Sequence, residues 1–362
     1  MDTPVVPLRP FLVSSSPHDH SGASIRRIMF DVVIALLPAC AAALWFFRWK
    51  AALLLVVCIG TCLAVEALCR LAMRRPQTLS DGSALVTGIL LALNLPPDLP
   101  LWQAALGSAV AIAIAKQVFG GLGRNPFNPA LIGRAFLLIS FTATMTTWSP
   151  SDWRRDADAA EVPAAPAEVV VDAMTTATPL GVSKEFFKQA RAKDAEAAVA
   201  AEPRRPFVYD AAMRKRMFFG DINGCIGETS ALALLLGGLY LLLRKVITWH
   251  VPVAYIGTVA IFAAIAHAVS PATTMPVDFH LLAGGLLLGA IFMATDMVTT
   301  PVTRFGLVIF GIGCGLLTMV IRLVPSGAYP EGVSFSILIM NAVTPLLNRA
   351  TRPKPYGTLA RK

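Results

Sequence analysis

Three sets of side chains in this sequence could do chemistry. The first is acidic: Glu66, Asp296, Asp31, Asp278 and Glu228 lie inside, or at the ends of, runs that are otherwise apolar. Ionisable groups at such depth in a bilayer cost several kcal/mol and mark an ion or proton path, or the polar edge of a cofactor. Glu66 and Asp296 are the ion-path candidates, whereas Asp31 and Glu228 read as interfacial caps. The second set is the stretch GRNPFNPALIGRAF, residues 123–136, with two Asn-Pro pairs three residues apart at a helix start. There the amides of Asn125 and Asn128 converge with free backbone donors, either to bind a polar group or to cap the helix. The third is hydroxylic: VVVDAMTTATPLG, residues 169–181, which taken alone is a strand leading into a turn at Pro179.

Other reactive residues carry less. His250, His267 and His280 are scattered and suggest no metal site. The six cysteines form no CxxC and mostly lie in apolar runs, so they read as small buried hydrophobes. Cys225, near a span end, is the one that keeps a redox option. No catalytic constellation is complete on this chain.

The elements that must hold these residues are set by composition. The chain has 362 residues, 56% hydrophobic and only 15% charged, with a mean hydropathy of +0.64. A soluble domain averages about 25% charged, so disorder, a coiled coil and an ordinary soluble enzyme are excluded. The hydrophobic excess falls in blocks near the length that crosses a bilayer. The net charge of +9 comes without a basic stripe interleaved with aromatics, so no nucleic-acid partner is expected. Membrane lipid is the expected surround.

The sequence predicts ten spans, at 28–47, 51–69, 83–95, 101–118, 128–146, 225–243, 251–269, 279–297, 304–322 and 333–348. Residues 1–27 have no early apolar core and predict no signal peptide. Two spans are interrupted: the third at NLPP, the eighth at ATDMVTTP. Backbone freed by such breaks is tolerated only inside protein or beside a cavity. Ten spans put both termini on one side. Sixteen Lys and Arg residues, Lys116 among them, then fall on that side, against Arg48, Lys50 and Arg322 on short loops opposite. That asymmetry makes the termini cytoplasmic and puts the long stretch 147–221 in the periplasm.

The halves echo each other. Asp81, Gly88 and Leu91 recur as Asp278, Gly285 and Leu288 at a fixed offset of 197 residues. Five spans per half is odd, so the halves insert in opposite directions, a transporter-like design with discontinuous helices. The expected fold is an all-α polytopic membrane protein: about ten transmembrane helices as two inverted five-helix repeats with broken helices, plus a small periplasmic segment. Its parts are a cytoplasmic segment 1–27, repeats at 28–146 and 222–348, the periplasmic 147–221 and a tail at 349–362.

Seven strings make a resemblance specific: SPHDHSG (16–22), RRIMFDVVIALLPA (26–39), DGSALVTGILLALNLPP (81–97), GRNPFNPALIGRAF (123–136), DAMTTATPL (172–180), GETSALALLLGG (227–238) and FMATDMVTTPVT (292–303). In this order they resemble the NqrB/RnfD family, membrane subunits of ion-translocating electron-transport complexes, over nearly the whole chain. The resemblance implies covalent FMN joined through its phosphate to a threonine in a D-x-x-[ST]-G-A-T motif. Asp172, Thr175, Ala177 and Thr178 match, with Thr178 as acceptor; Thr176 stands where the family usually has Gly, leaving Thr175 and Thr176 as adjacent candidates. It also implies a second, non-covalent flavin (riboflavin or FMN) near the broken helices, with Asn125 and Asn128 as carry-over candidates.

What the resemblance implies for function is a flavin-carrying subunit of an Rnf-type complex in a bacterial inner membrane. Such a complex couples electron transfer between NADH and ferredoxin to Na⁺ or H⁺ translocation. The implied partners are a second covalent-FMN subunit, iron–sulfur subunits and an NADH-binding subunit. The rival reading is a secondary transporter or channel of urea-transporter-like architecture, which has no need for a flavinylation motif.

Overall fold

The computed structural model describes residues 24–148, 178–181, 183–184, 209–271, 274–323 and 332–353. Among them there is no strand. The helices are α1 (Ile25–Ala72), α2 (Ser83–Leu93), α3 (Leu101–Ile112), α4 (Pro129–Ser140), α5 (Thr142–Met145), α6 (Ala211–Phe219), α7 (Ala231–Leu243), α8 (His250–Val269), α9 (Val277–Leu282), α10 (Leu286–Leu288), α11 (Arg304–Leu323) and α12 (Val333–Ala350). π-helical turns extend α3 over Ala113–Gln117 and α10 over Gly289–Met293.

Four of these, α1, α8, α11 and α12, are long and apolar enough to cross a membrane, and α2, α4 and α7 are shorter apolar helices. Large apolar side chains face outward along them, for example Leu243 at 74% and Val269 at 77% exposure. A surface this apolar is solvated by lipid, not water. Trp45, Trp49, Trp102 and Trp249 are exposed near helix ends, where indole rings favour the headgroup region. The chain is a helical membrane protein.

α1 is two helical runs joined by one residue. Arg48 has φ 45° and ψ −124° within an otherwise helical run. A Cβ on Gly82 would touch Met29, while Thr78 bonds Glu66. Residues 29 and 66 therefore share one end of the bundle, and the chain reverses at Arg48. This division agrees with spans predicted at 28–47 and 51–69.

Both breaks anticipated in the sequence are present, the second with a shift. α2 has 11 residues and so rises about 16 Å, half a bilayer. It stops at Asn94 ahead of the two prolines, and the turns beyond reach Asp98, which pairs with Lys50 beside the Arg48 reversal. In the second half the helix is interrupted earlier than the proline predicts. Ala283 is extended at ψ 136° and Gly284 has φ 67° between α9 and α10, before the segment turns again at residues 294–303.

Glycine permits the closest crossings. A Cβ at Gly237 would collide with the Ala35 carbonyl, so α7 meets α1 backbone to backbone. Gly311 and Gly315, one turn apart on α11, do the same against Val251 and Tyr255 of α8, the small-xxx-small arrangement of membrane helix pairs. Between them the buried Tyr255 hydroxyl contacts Thr318 at 2.6 Å and Ser336 at 3.0 Å, tying α8, α11 and α12.

Three charges leave the loops to which the sequence assigns them. Lys116, expected on a cytoplasmic loop, is 1% exposed in the π turn after α3. Arg70, another of those sixteen cations, is likewise buried at the end of α1. Arg322 is buried and donates to the carbonyls of His280 (2.6 Å) and Ala283 (2.9 Å), capping the end of α9. The hydropathy of a span end does not tell an interfacial cation from one turned inward to a partner.

Candidate functional site

The broken helices meet in the interior. Asn94, at the end of α2, donates through Nδ2 to the Leu90 carbonyl (2.7 Å) and to Met293 Sδ (3.5 Å), the last residue of the second π turn. Asn128 Nδ2 reaches the Met293 carbonyl at 3.3 Å. Beside this junction lies an open-mouthed cleft with a cavity volume of about 110 Å³. Its polar lining is Ser83, Thr87, Lys116, Asn125, Asn128, Thr295 and Asp296; the remainder is apolar, including Met29 and Phe292.

The two asparagines are brought together but do different work. Asn128 Oδ1 accepts the Ala130 N–H at 3.0 Å, capping α4, with Pro129 at the first helical position. Both ends of its amide are thus engaged. Asn125 donates through Nδ2 to the Phe127 carbonyl at 3.1 Å, and its buried Oδ1 has no partner. A buried acceptor left open costs about 1–3 kcal/mol, so a donor brought by a ligand would be stabilised there. Asp296, on the same lining, accepts from Val298 N–H (3.1 Å) and Thr299 Oγ1 (3.3 Å), a turn-forming use of its carboxylate.

Glu66 is fully buried behind the cleft. Its Oε2 lies 2.7 Å from Lys116 Nζ, and its Oε1 accepts from Thr78 Oγ1 at 2.8 Å. Lys116 also donates to Ser83 Oγ at 2.6 Å. Glu66 does not line the cleft; Lys116 and Ser83 do.

A second buried pair corrects the interfacial-cap reading of Glu228; the signal that could have found it is an arginine inside an apolar span. Arg134 on α4 reaches Glu228 Oε1 at 3.2 Å, Asn94 Oδ1 at 2.7 Å and Cys225 Sγ at 3.6 Å. Glu228 does not cap α7: Ser230 holds that position, accepting from Ala233 N–H. Instead Glu228 packs so closely against Gly285 that a Cβ there would overlap its Oε1. Asp31 is also more than a cap, accepting from Tyr240 (3.0 Å) and Arg244 (3.3 Å) at the far end of α7.

Thr178 lies at the opposite end of the second half. It is 6% exposed and its Oγ1 accepts the Gly181 N–H at 3.1 Å. The following Leu180 is buried against Met217, Ile222, Met275, Phe279 and Ala283. Close by, Asp278 Oδ2 takes the Tyr209 hydroxyl at 2.8 Å and Arg214 Nε at 2.6 Å. Burial, then the Asp278 carboxylate, push the Tyr209 phenol up to about 12. Asp172, Thr175, Thr176 and Ala177 lie outside the described residues.

Interrupted helices that meet around a partly polar cleft, with charges paired inside the bundle, define a class: helical membrane proteins that bind or move something at helix breaks. Within that class the comparison is specific. Residues 12–357 match the NQR2, RnfD, RnfE family, and the chain belongs to it. It is 46% identical over 348 residues to the D subunit of the proton-translocating ferredoxin:NAD⁺ oxidoreductase complex of Clostridium ljungdahlii, covering 96% of each chain. It is 44% identical over 347 residues to the D subunit of the Na⁺-translocating ferredoxin:NAD⁺ oxidoreductase complex of Acetobacterium woodii, covering 95% of each. The D subunit of the ion-translocating oxidoreductase complex of Stutzerimonas stutzeri is 41% identical over 351 residues, with 94% of each covered.

Proposed function

We propose that this chain is the flavin-carrying membrane subunit of an Rnf-type oxidoreductase, coupling electron transfer between NADH and ferredoxin to movement of Na⁺ or H⁺ across a bacterial inner membrane. The observation that carries the reading is the cleft at the helix breaks, whose buried Asn125 Oδ1 lacks a donor. A flavin ring suits it: a flat apolar body for the apolar wall, and an imide N–H with flanking carbonyls for the asparagine edge. Asn125 would accept from the imide, while Asn128 keeps the α4 start and Met293 in register. Bound flavin, riboflavin or FMN, supplies the electron-transfer chemistry; the protein supplies position and charge.

FMN esterified to Thr178 is the second half of the proposal. The Gly181 N–H that now faces Oγ1 is a donor that an ester oxygen could also use. The hydroxyl's low exposure means the ester forms before the 178–181 turn seats against α9, or while it opens.

The ten-span inverted arrangement, cytoplasmic termini and periplasmic 147–221 belong to the same reading. It is supported by the two interrupted segments and by a buried cation bonded to each: Lys116 to Ser83 at the start of α2, Arg322 to the His280 carbonyl near the end of α9. Ser83 and His280 are themselves separated by the offset of 197 residues. Partner subunits with a second covalent FMN, iron–sulfur centres and an NADH site complete the complex.

The test is flavin content of the purified chain. Fluorescence that stays with the denatured polypeptide, plus a separate flavin released on denaturation, is expected. A chain with neither overturns the reading and leaves the urea-transporter-like alternative.

A further inference from the structure

Lys116 has two claims on its charge. Its ammonium is held by Glu66 and Ser83 at 2.7 and 2.6 Å, with almost no water contact, yet it forms part of the cleft lining. It sits on a π turn, a widening of helical pitch that is frequent at functional sites. The turn brings this one lysine between a fully buried carboxylate and the cleft at the helix breaks. From these positions we propose that Lys116 is a shared counter-ion: it neutralises Glu66 while the cleft holds a neutral ring, and turns to the ring when an electron arrives there, leaving Glu66 to take up one cation. The inference rests on the reading of the cleft as a flavin site.

Charge balances in that exchange. An electron from the complex's ferredoxin-side donor adds one negative charge in the cleft. Lys116 compensates it, and one H⁺ or Na⁺ compensates Glu66. Leaving either charge uncompensated would be costly, because burying an unpaired ion forfeits its hydration without a partner to replace it. Thr78 Oγ1 remains on Glu66 throughout and gives the incoming cation a ready oxygen neighbour. The other charged or titratable groups nearby are Asp81, reached through the Ser83 hydroxyl at 2.6 Å, Asp296 across the cleft, and Arg70 and Cys62, each about one turn from Glu66 on α1.

The experiment is a redox titration of the non-covalent flavin in the full chain, in a Thr178→Val background that removes the covalent one. Glu66→Gln keeps shape and hydrogen bonding and releases Lys116 to the cleft. At a fixed potential it should raise the ratio of reduced to oxidised flavin roughly tenfold or more, as one unit charge several ångströms away implies at an effective dielectric near 20. Lys116→Gln combined with Glu66→Gln, a neutral pair with no ion left to bury, should lower the ratio below that of the native pair. In both, the dependence of the midpoint on pH or on Na⁺ should flatten.

Opposite shifts with flattened ion dependence support the counter-ion role. Bound flavin whose midpoint ignores both variants overturns it and makes Lys116 a packing residue. A chain that holds no flavin fails at the earlier step, overturning the cleft assignment and this inference together.

Discussion

Arg134 Nη1 lies 3.2 Å from Glu228 Oε1, and the same nitrogen lies 2.7 Å from Asn94 Oδ1. One guanidinium thus joins α4, the tip of α2 and the segment that opens the second half. Gly227 N–H and Ile226 N–H complete the seam by donating to the carbonyls of Leu93 and Leu95. These bonds satisfy backbone that the prolines leave open, the requirement any break inside a bilayer must meet.

Removing Arg134 should therefore be severe. Arg134→Met strips Glu228 of its counter-ion, and breaking a buried pair costs roughly 3–5 kcal/mol. Adding Glu228→Gln removes the stranded charge and should recover part of that loss. Thermal unfolding of the detergent-solubilised chain measures both, and equal melting of the single and double variants would mean the pair carries little coupling.

Thr178→Val should abolish fluorescence on the denatured chain while the protein still inserts in the membrane. Intact mass decides the position: FMN retained in this variant moves the attachment to Thr175 or Thr176.

The two asparagines should separate binding from folding. Asn125→Ala removes an acceptor that has no protein partner and one local bond to the Phe127 carbonyl, so the released flavin should fall with a smaller change in melting than at Asn128. Asn128→Ala deletes the α4 cap, worth about 0.5–2 kcal/mol, and should lower flavin content and melting temperature together. Identical behaviour of the two variants would contradict the division of labour.

Topology has a direct check. A reporter fused after residue 362 should be active only in the cytoplasm and one inserted near Ala195 only in the periplasm. Both on one side would mean an error of one in the span count.

Tyr209 offers a prediction in pH. Because its folded value is raised to about 12, its contribution as a donor to Asp278 is fully present below the ordinary phenol range near 10. That contribution is lost only as pH rises through the folded value. Tyr209→Phe should thus lower the melting temperature by the same amount at pH 6 and pH 9, corresponding to about 0.5–1.5 kcal/mol. A difference that grows across that interval would contradict the assignment.

The sequence by itself determined the membrane class, the division between 28–47 and 51–69, the interruption of the third span at its prolines and the family. Each depends on local composition: apolar runs, prolines that cannot continue a helix, and strings long enough to be specific. It also brought forward Asn125, Asn128, Thr178, Glu66 and Asp296 as residue types able to do chemistry. Only the tertiary structure decided how they are used. Asn128 caps α4 while Asn125 keeps an open acceptor; Glu66 is paired with Lys116; Lys116, Arg134 and Arg322 turn inward. Arg134 finds Glu228 across 94 residues and Lys116 finds Glu66 across 50. The reason is physical. A charge within an apolar run states only that a partner is needed, and which partner it meets depends on the packing of helices distant in sequence.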